Sequence, residues 1–427
     1  MRFNSLDGWL DWQTSLHPKA IDLGLDRVRE VADQLGLLQP KHVVITVAGT
    51  NGKGSSVAML EAMLLESGHK VGAYTSPHMH RYNERIRVAG VDAPDEWIID
   101  AFDSIDQARG EISLSYFEFA TLAGLWICAR QNVDIAILEV GLGGRLDAVN
   151  IIDADVALIT AIGIDHTEWL GEGRDRISLE KAGIARREQP VIVSEPDPPH
   201  VMKAFLKQLG SHYFQLGEDF DFSVAQGKWD WWFNELRLKA LPEPGMQGRH
   251  QFQNVAGAIA VSQLLPERLR PAERAIRAAL HNVHLAGRYE RIDPQSLQVG
   301  FEVILDVAHN PDGARALART LEEHDIRGKT YVLLGVMQDK DIKTMLKTLA
   351  PVVDIWLLST PHTERAMASS ALHDLLKTTV PEAKGYATLD IAAAWNRAKS
   401  MLTDHDRLVV TGSFYTVAEV RSLTAPI

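Results

Sequence analysis

Residues 42–68, HVVITVAGTNGKGSSVAMLEAMLLESG, constrain the fold of this chain more than any other stretch. VVITVA is apolar and rich in β-branched residues, as a strand buried on both faces must be. A glycine-rich turn follows, Gly49-Thr50-Asn51-Gly52-Lys53-Gly54-Ser55, and then an apolar helix closed by Gly68. KVGAYTSP reads as the next strand. A helix between two such strands is a crossover, which commits the chain to an α/β sheet with the turn at the carboxyl end of a strand.

The turn departs from the common phosphate-binding pattern G-x-x-x-x-G-K-[ST]. Val47 stands where the first glycine belongs, and Gly54 separates Lys53 from Ser55. Its backbone N–H groups and the helix start suit phosphate oxygens, with Lys53 as a movable charge for the outer phosphates. The competing reading is a plain turn. A lysine inside it, in a strand–helix frame, favours the nucleotide.

Further apolar runs alternate with helical patterns: 133–141, 154–163 and 189–196, then 299–310, 329–337, 352–360 and 406–414. From Phe220 to about Gly248 the alternation and turn residues predict antiparallel hairpins. We expect an α/β protein with a P-loop-containing N-terminal ATP-binding domain, mostly parallel with a small antiparallel insertion. A smaller Rossmann-like C-terminal α/β domain follows. The expected boundaries are 1–286, a linker at 287–297 containing glycine, proline and charge, and 298–427.

A formal net charge of −12 argues against nucleic acid and anionic membranes as partners. No signal peptide or transmembrane run is legible, so a cytoplasmic protein is expected. The single cysteine, Cys128, lies in an apolar helical stretch where packing is the expected role.

Four strands of the first half end in polar groups: the turn at 49–55, Ser76-Pro77-His78, Glu139, and Asp165-His166. Ligands of open α/β sheets bind at carboxyl strand ends, so these groups can share one crevice. Glu139 closes an apolar run, and a carboxylate there is expensive to bury without a cation. With a hydroxyl it makes an oxygen set suited to Mg2+. Imidazole is an unusual ligand for that ion, which leaves His166 open. GLGGRL at 141–146 has Leu146 in place of the third glycine of G-x-G-x-x-G, which disfavours a dehydrogenase.

Together, GTNGKGS, TSPHMHRYNERI, LEVGLGGRLDAVN, IDHTEWLG, EKAGI, DVAHNPDGA, GVMQDKD and GSFY resemble, in order from residue 49 to 415, the folylpolyglutamate synthase family of the Mur ligase superfamily. That resemblance implies an ATP-dependent amide ligase that adds L-glutamate to dihydropteroate and to reduced folates through an acyl phosphate. It implies Mg2+, with Ser76, Glu139 and His166 as ligands, and Lys181 carbamylated to hold a second ion. A monovalent cation such as K+ is open. Lys53, Lys181 and His309 are the implied catalytic residues. Asn254, Arg288 and Asp306 join Gly49, Thr50, Asn51, Gly52, Lys53, Gly54 and Ser55 on the nucleotide. Asp22, Ser115, Tyr116, Phe117, Glu118, Leu146 and Ser413 are implied on the substrates.

Each has an ordinary alternative: a Glu180 ion pair for Lys181, turn or linker roles for His309, Arg288 and Asp306, and core packing for the aromatics. A family member serving reduced folates alone shares almost all these motifs. A cell-wall ligase for a UDP-sugar substrate fits less well, because residues 1–48 are too few for the extra domain. A nucleotide-driven switch is disfavoured by the second set of polar strand ends. A monomer is expected.

Overall fold

The computed structural model describes residues 1–19, 21–225 and 227–424. It divides into two compact units. The first comprises residues 1–163, 170–244 and 252–283, and the second 164–169, 245–251 and 284–427.

The first unit is built on an eight-stranded sheet. In chain order its strands are β1 (Val43–Ala48), β2 (Val71–Tyr74), β3 (Ile86–Val88), β4 (Val91–Asp92), β5 (Ile135–Glu139), β6 (Val156–Ile159), β7 (Pro190–Val193) and β8 (His212–Gln215). They lie in the order β4-β3-β2-β5-β1-β6-β7-β8. From β2 to β8 every pairing is parallel, whereas β3 and β4 add an antiparallel edge. Every residue of β1, β5 and β6 is buried, the reason these strands read as unbroken apolar runs. The chain leaves β1 toward β2 and β5 on one side, then continues through β6 to β8 on the other. The winding reverses at the carboxyl end of β1, where an open α/β sheet offers a crevice. A separate three-stranded antiparallel sheet, β9 (Phe220–Ala225), β10 (Lys228–Phe233) and β11 (Leu236–Pro242), occupies the stretch expected to form hairpins.

The second unit has six strands in the order β12-β13-β17-β14-β15-β16. These are β12 (Glu290–Ile292), β13 (Glu302–Leu305), β14 (Thr330–Leu334), β15 (Ile355–Leu358), β16 (Lys384–Ala387) and β17 (Arg407–Thr411). All pair in parallel except β12 with β13. The α/β expectation holds in both units. The stretch read as a linker, 287–297, is in part β12, because the backbone of Glu290–Ile292 finds partners along β13. Short or exposed edge strands (β3, β4, β8, β16) had no continuous apolar run to betray them.

Cys128 is fully buried with its thiol against Gly72, and burial pushes that thiol up to about 12, which suits packing rather than reactivity. Among the described residues no helix is long and apolar enough to cross a membrane.

An aromatic cluster holds the N-terminal segment to the first unit's core. Phe102 is fully buried, with ring centres 5.3 Å from Phe119, 5.7 Å from Tyr82 and 5.9 Å from Trp9. Replacing it by alanine deletes transfer energy and leaves a cavity, so Phe102→Ala should lose about 3–5 kcal/mol. Urea unfolding followed by tryptophan fluorescence measures this; a loss below about 1 kcal/mol would show that the cluster collapses around the gap.

Candidate active site

The turn at 49–55 joins β1 to the helix Lys53–Glu66. Gly52 sits at the helix N-cap in a left-handed conformation (φ 87°), and no side chain caps the first turn. A Cβ there would also overlap the side-chain oxygen of Asn254. Glycine is thus required twice over, by backbone and by space. Asn254 is buried, and its carbonyl accepts from the hydroxyl of Ser56 (3.4 Å). The sequence-assigned pair of loop and Asn254 is therefore in direct contact.

The end of β6 clamps the other side of the turn. The Thr50 N–H donates to the Ala161 carbonyl (2.8 Å), and its hydroxyl to that of Gly163 (3.0 Å). The Thr160 hydroxyl donates to the Asn51 carbonyl (2.7 Å). The ammonium of Lys53 folds back onto the Gly49 carbonyl (3.1 Å). These bonds tie down the Gly49 and Asn51 carbonyls and the Thr50 N–H, and the helix start that follows has no side-chain cap on its first N–H groups, an arrangement suited to anions.

Strand register brings two more residues beside the turn. Val47 on β1 is opposite Glu139 on β5, and Tyr74 on β2 is opposite Leu138. Glu139 is buried, and its carboxylate accepts the backbone N–H of Ser76 (3.3 Å). A buried carboxylate next to a serine is a hard oxygen set, which suits a magnesium-like ion. Among the described residues no three His, Cys, Asp or Glu side chains gather as a metal cluster. His166 lies in the second unit, in the segment 164–169, with φ at +52°, a conformation costly for a non-glycine residue.

Lys181 is buried in the helix Arg174–Ala182. Glu180, the partner weighed for it, pairs with Arg145 (2.9 Å). The glycines of GLGG serve packing. A Cβ on Gly144 would meet the Glu180 carbonyl and Lys181 Cα, and one on Gly141 would strike the Phe117 ring. Leu146 is half-buried on this loop. Asp147, which the sequence reading left out, is buried and accepts from the N–H groups of Leu142 (2.8 Å) and Val149 (3.0 Å). Burial raises its carboxyl to about 6, against the pull of these N–H groups and of Lys53.

The substrate-assigned stretch 115–118 has a clear local cause. Ser115 and Glu118 form a capping box on the helix Tyr116–Arg130. The S-x-x-E spacing was the available signal for it. Arg27, also missed, draws two assigned residues together: it pairs with Asp22 (2.8 Å) and Glu118 (3.2 Å). Phe117 rests against Tyr74 with ring centres 6.1 Å apart.

In the second unit Asp165, half-buried with its carboxylate turned inward, is a hub. It receives Lys340 Nζ (2.7 Å) and Asn310 Nδ2 (3.0 Å), with His309 Nε2 at 3.4 Å. The other ring nitrogen of His309 lies 2.8 Å from the Val307 carbonyl. These cationic and imidazole neighbours hold the Asp165 carboxyl far below the usual carboxylate range, despite its burial. Asp306, at the end of β13, accepts the N–H groups of Tyr289 and Ala308 (both 2.9 Å). Burial raises its carboxyl, with the Arg288 guanidinium opposing. Arg288 lies over the Phe414 ring (5.3 Å), which also neighbours His309 (6.3 Å). Ser413 bonds the hydroxyl (2.8 Å) and N–H (3.1 Å) of Thr416, capping the last helix. Lys340 and Phe414 are functional candidates that the sequence placed in motifs without a role.

Two family models match the chain. The description "Mur ligase middle domain" covers residues 47–262, and "Mur ligase, glutamate ligase domain" covers 287–414. The chain is 40% identical over 422 residues to the dihydrofolate synthase/folylpolyglutamate synthase of Escherichia coli strain K12, covering 97% of this chain and 94% of that one. It belongs to the folylpolyglutamate synthase family of Mur ligases. The family makes it a ligase that forms carbon–nitrogen bonds. Among solved structures, E. coli FolC in complex with DHPP and ADP superposes with a TM-score of 0.92 at 39% identity, covering 99% of this chain and 98% of that chain. A bifunctional folylpolyglutamate synthase/dihydrofolate synthase with Mn, AMPPNP and L-glutamate bound superposes at 0.89, also with 39% identity and the same coverage.

Two outcomes follow for this ligase. Gly52→Ala adds a methyl group against Asn254 at a positive φ, so it should bind nucleotide at least about tenfold more weakly, because the loop must shift. Calorimetric titration with ADP checks this, and unchanged affinity would contradict the fit. The raised Asp147 carboxyl makes the native chain hold its proton more tightly than the unfolded chain. Its share of stability is therefore present below pH 3.8 and lost as pH rises through about 6. Asp147→Asn removes that loss. Relative to the parent, the variant should gain stability between about pH 4 and about pH 7, read by urea unfolding; a constant difference across that window would refute the shift.

Proposed function

We propose that this ligase adds L-glutamate to dihydropteroate and also to reduced folates, using ATP and an acyl phosphate. The alignment along nearly its whole length with a relative named for both activities carries the reading. The open helix start above β1 supports the phosphate end of it.

A carboxylate is a poor electrophile, and phosphorylation turns one of its oxygens into a leaving group. The acceptor carboxylate oxygen attacks the γ-phosphorus of ATP, and the bond to the bridging oxygen breaks to release ADP. The nitrogen of L-glutamate then attacks the acyl carbon, loses a proton, and inorganic phosphate departs with the carbon–oxygen bonding pair. Residues 49–55 hold the phosphates, and the Lys53 ammonium swings from the Gly49 carbonyl to the charge that builds on them. Asn254, Arg288 and Asp306 contact the nucleotide. Asp22, Ser115, Tyr116, Phe117, Glu118 and Leu146 line the acceptor, while His309 and Ser413 orient glutamate.

Ser76, Glu139 and His166 would hold Mg2+, with carbamylated Lys181 holding a second ion; bound there, the metal neutralises phosphate charge. A potassium ion is a further candidate. The ligase works as a monomer in the cytoplasm.

ADP release with Mg-ATP and L-glutamate, compared for dihydropteroate and tetrahydrofolate with product masses read together, tests this reading. Glutamate-dependent turnover of both acceptors is expected, each product heavier by glutamyl units. Turnover of tetrahydrofolate alone would assign the polyglutamylating activity only, and turnover of neither would end the folate reading. Lys53→Ala should lose on the order of a hundredfold or more in acceptor-dependent ADP formation, with circular dichroism unchanged. Near-normal turnover would remove Lys53 from the chemistry.

A further inference from the structure

Arg85 ends the short helical turn Tyr82–Arg85 that leads into β3. Its residue is only 8% exposed. The guanidinium lies between two aromatic rings, 5.5 Å from the centre of Tyr82 and 5.6 Å from that of Tyr116. Its Nε–H donates to His78 Nδ1 (2.8 Å), and its charge acts on the buried Tyr74 hydroxyl nearby, which itself accepts from Thr121 (3.3 Å). A guanidinium only donates, so this ring nitrogen of His78 is an acceptor and brings no negative charge.

The carboxylates nearest in sequence are engaged elsewhere. Glu84 accepts the N–H groups of Met79, His80 and Arg81, and Asp95 takes Asn83 and Arg81. Among the described residues no carboxylate stands within ion-pair distance of Arg85. The half-buried Arg87 has Glu61 (2.7 Å) and the buried Arg109 has Asp106 (2.7 Å); Arg407 also lacks a carboxylate, but its guanidinium is saturated by three oxygens, the Thr330 hydroxyl and the carbonyls of His324 and Leu321. Two aromatic faces offset part of the desolvation of Arg85 but supply no counter-charge. A full positive charge is held in place for an anion that the chain does not provide.

The surroundings indicate which anion. Tyr116 adjoins Phe117 in sequence, Phe117 rests against Tyr74, and the Arg85 charge acts on the Tyr74 hydroxyl, so the charge belongs to this aromatic cluster, whereas the phosphate turn has its own Lys53. A carboxylate about to be phosphorylated must give up its charge, and an ion pair to its ground state would oppose that step. The anion at Arg85 must therefore stay ionised throughout. We propose that Arg85 seats the α-carboxylate of the glutamyl residue that a folate acceptor carries and dihydropteroate lacks.

This proposal rests on the ligase reading and makes Arg85 a specificity residue between the two acceptors. In the full-length chain, Arg85→Gln should lower kcat/KM for tetrahydrofolate on the order of tenfold to hundredfold more than for dihydropteroate, mainly through KM. Arg85→Lys should restore part of that ratio. Equal losses with both acceptors would mean a structural role or contact with the reacting carboxylate, and would overturn the assignment. The unaltered ligase gives a test free of folding effects: tetrahydrofolate with its α-carboxylate converted to the amide should show a KM raised about tenfold or more. An unchanged KM for that amide would equally overturn it. Turnover of the two parent acceptors by the unaltered chain is measured separately, so a ratio that fails to move counts against Arg85 alone.

Discussion

Much of the first unit's arrangement depends on how the turn after β1 is held. Three bonds tie it to the end of β6, the Thr50 N–H and hydroxyl donating to the Ala161 and Gly163 carbonyls and the Asn51 carbonyl accepting from Thr160, and Asn254 fills the space a side chain on Gly52 would need. With the turn held in this way, what it offers outward is the start of a helix. Because β1 lies between β5 and β6 in register, that helix start comes beside Glu139 and Ser76 without any dedicated scaffolding. Position in the sheet, more than any single contact, sets the chemistry available there.

Unlike charges are handled in contrasting ways in the two units. Asp165 is surrounded by Lys340, His309 and Asn310, so its burial is compensated within the protein. Asp147 is compensated only in part, by backbone N–H groups, and its proton is correspondingly held. Arg85 stands at the far end of this range, with neutral neighbours alone. Uncompensated charge in a folded interior is costly. It persists where binding or catalysis makes use of it.

The sheet strands were legible in sequence because central parallel strands must be apolar throughout, and the turn at 49–55 was legible because only glycine tolerates its geometry. The S-x-x-E spacing at Ser115 and Glu118 carried a capping signal that the reading passed over, since the stretch was assigned to substrate by resemblance alone. Arg27, Arg85 and Lys340 were not legible, since each depends on partners brought together from distant sequence. Nothing in the strings that contain them distinguishes a paired cation from an unpaired one. The stretch 287–297 reads differently for the opposite reason: its composition is that of a linker, but Glu290, Arg291 and Ile292 gain strand partners at Leu305, Ile304 and Val303.

Two short excursions, 164–169 and 245–251, belong to the second unit although the chain on both sides of each belongs to the first. The units are therefore interleaved along the polypeptide, not strung in series. A fragment ended at residue 283 would still contain Asp165 but neither His309, Asn310 nor Lys340, stranding an acid whose carboxylate is normally paired with them. A newly made chain faces the same situation until its last third has been synthesised. For this ligase, the boundary between the family models at residues 262 and 287 is thus a poor place to divide the gene.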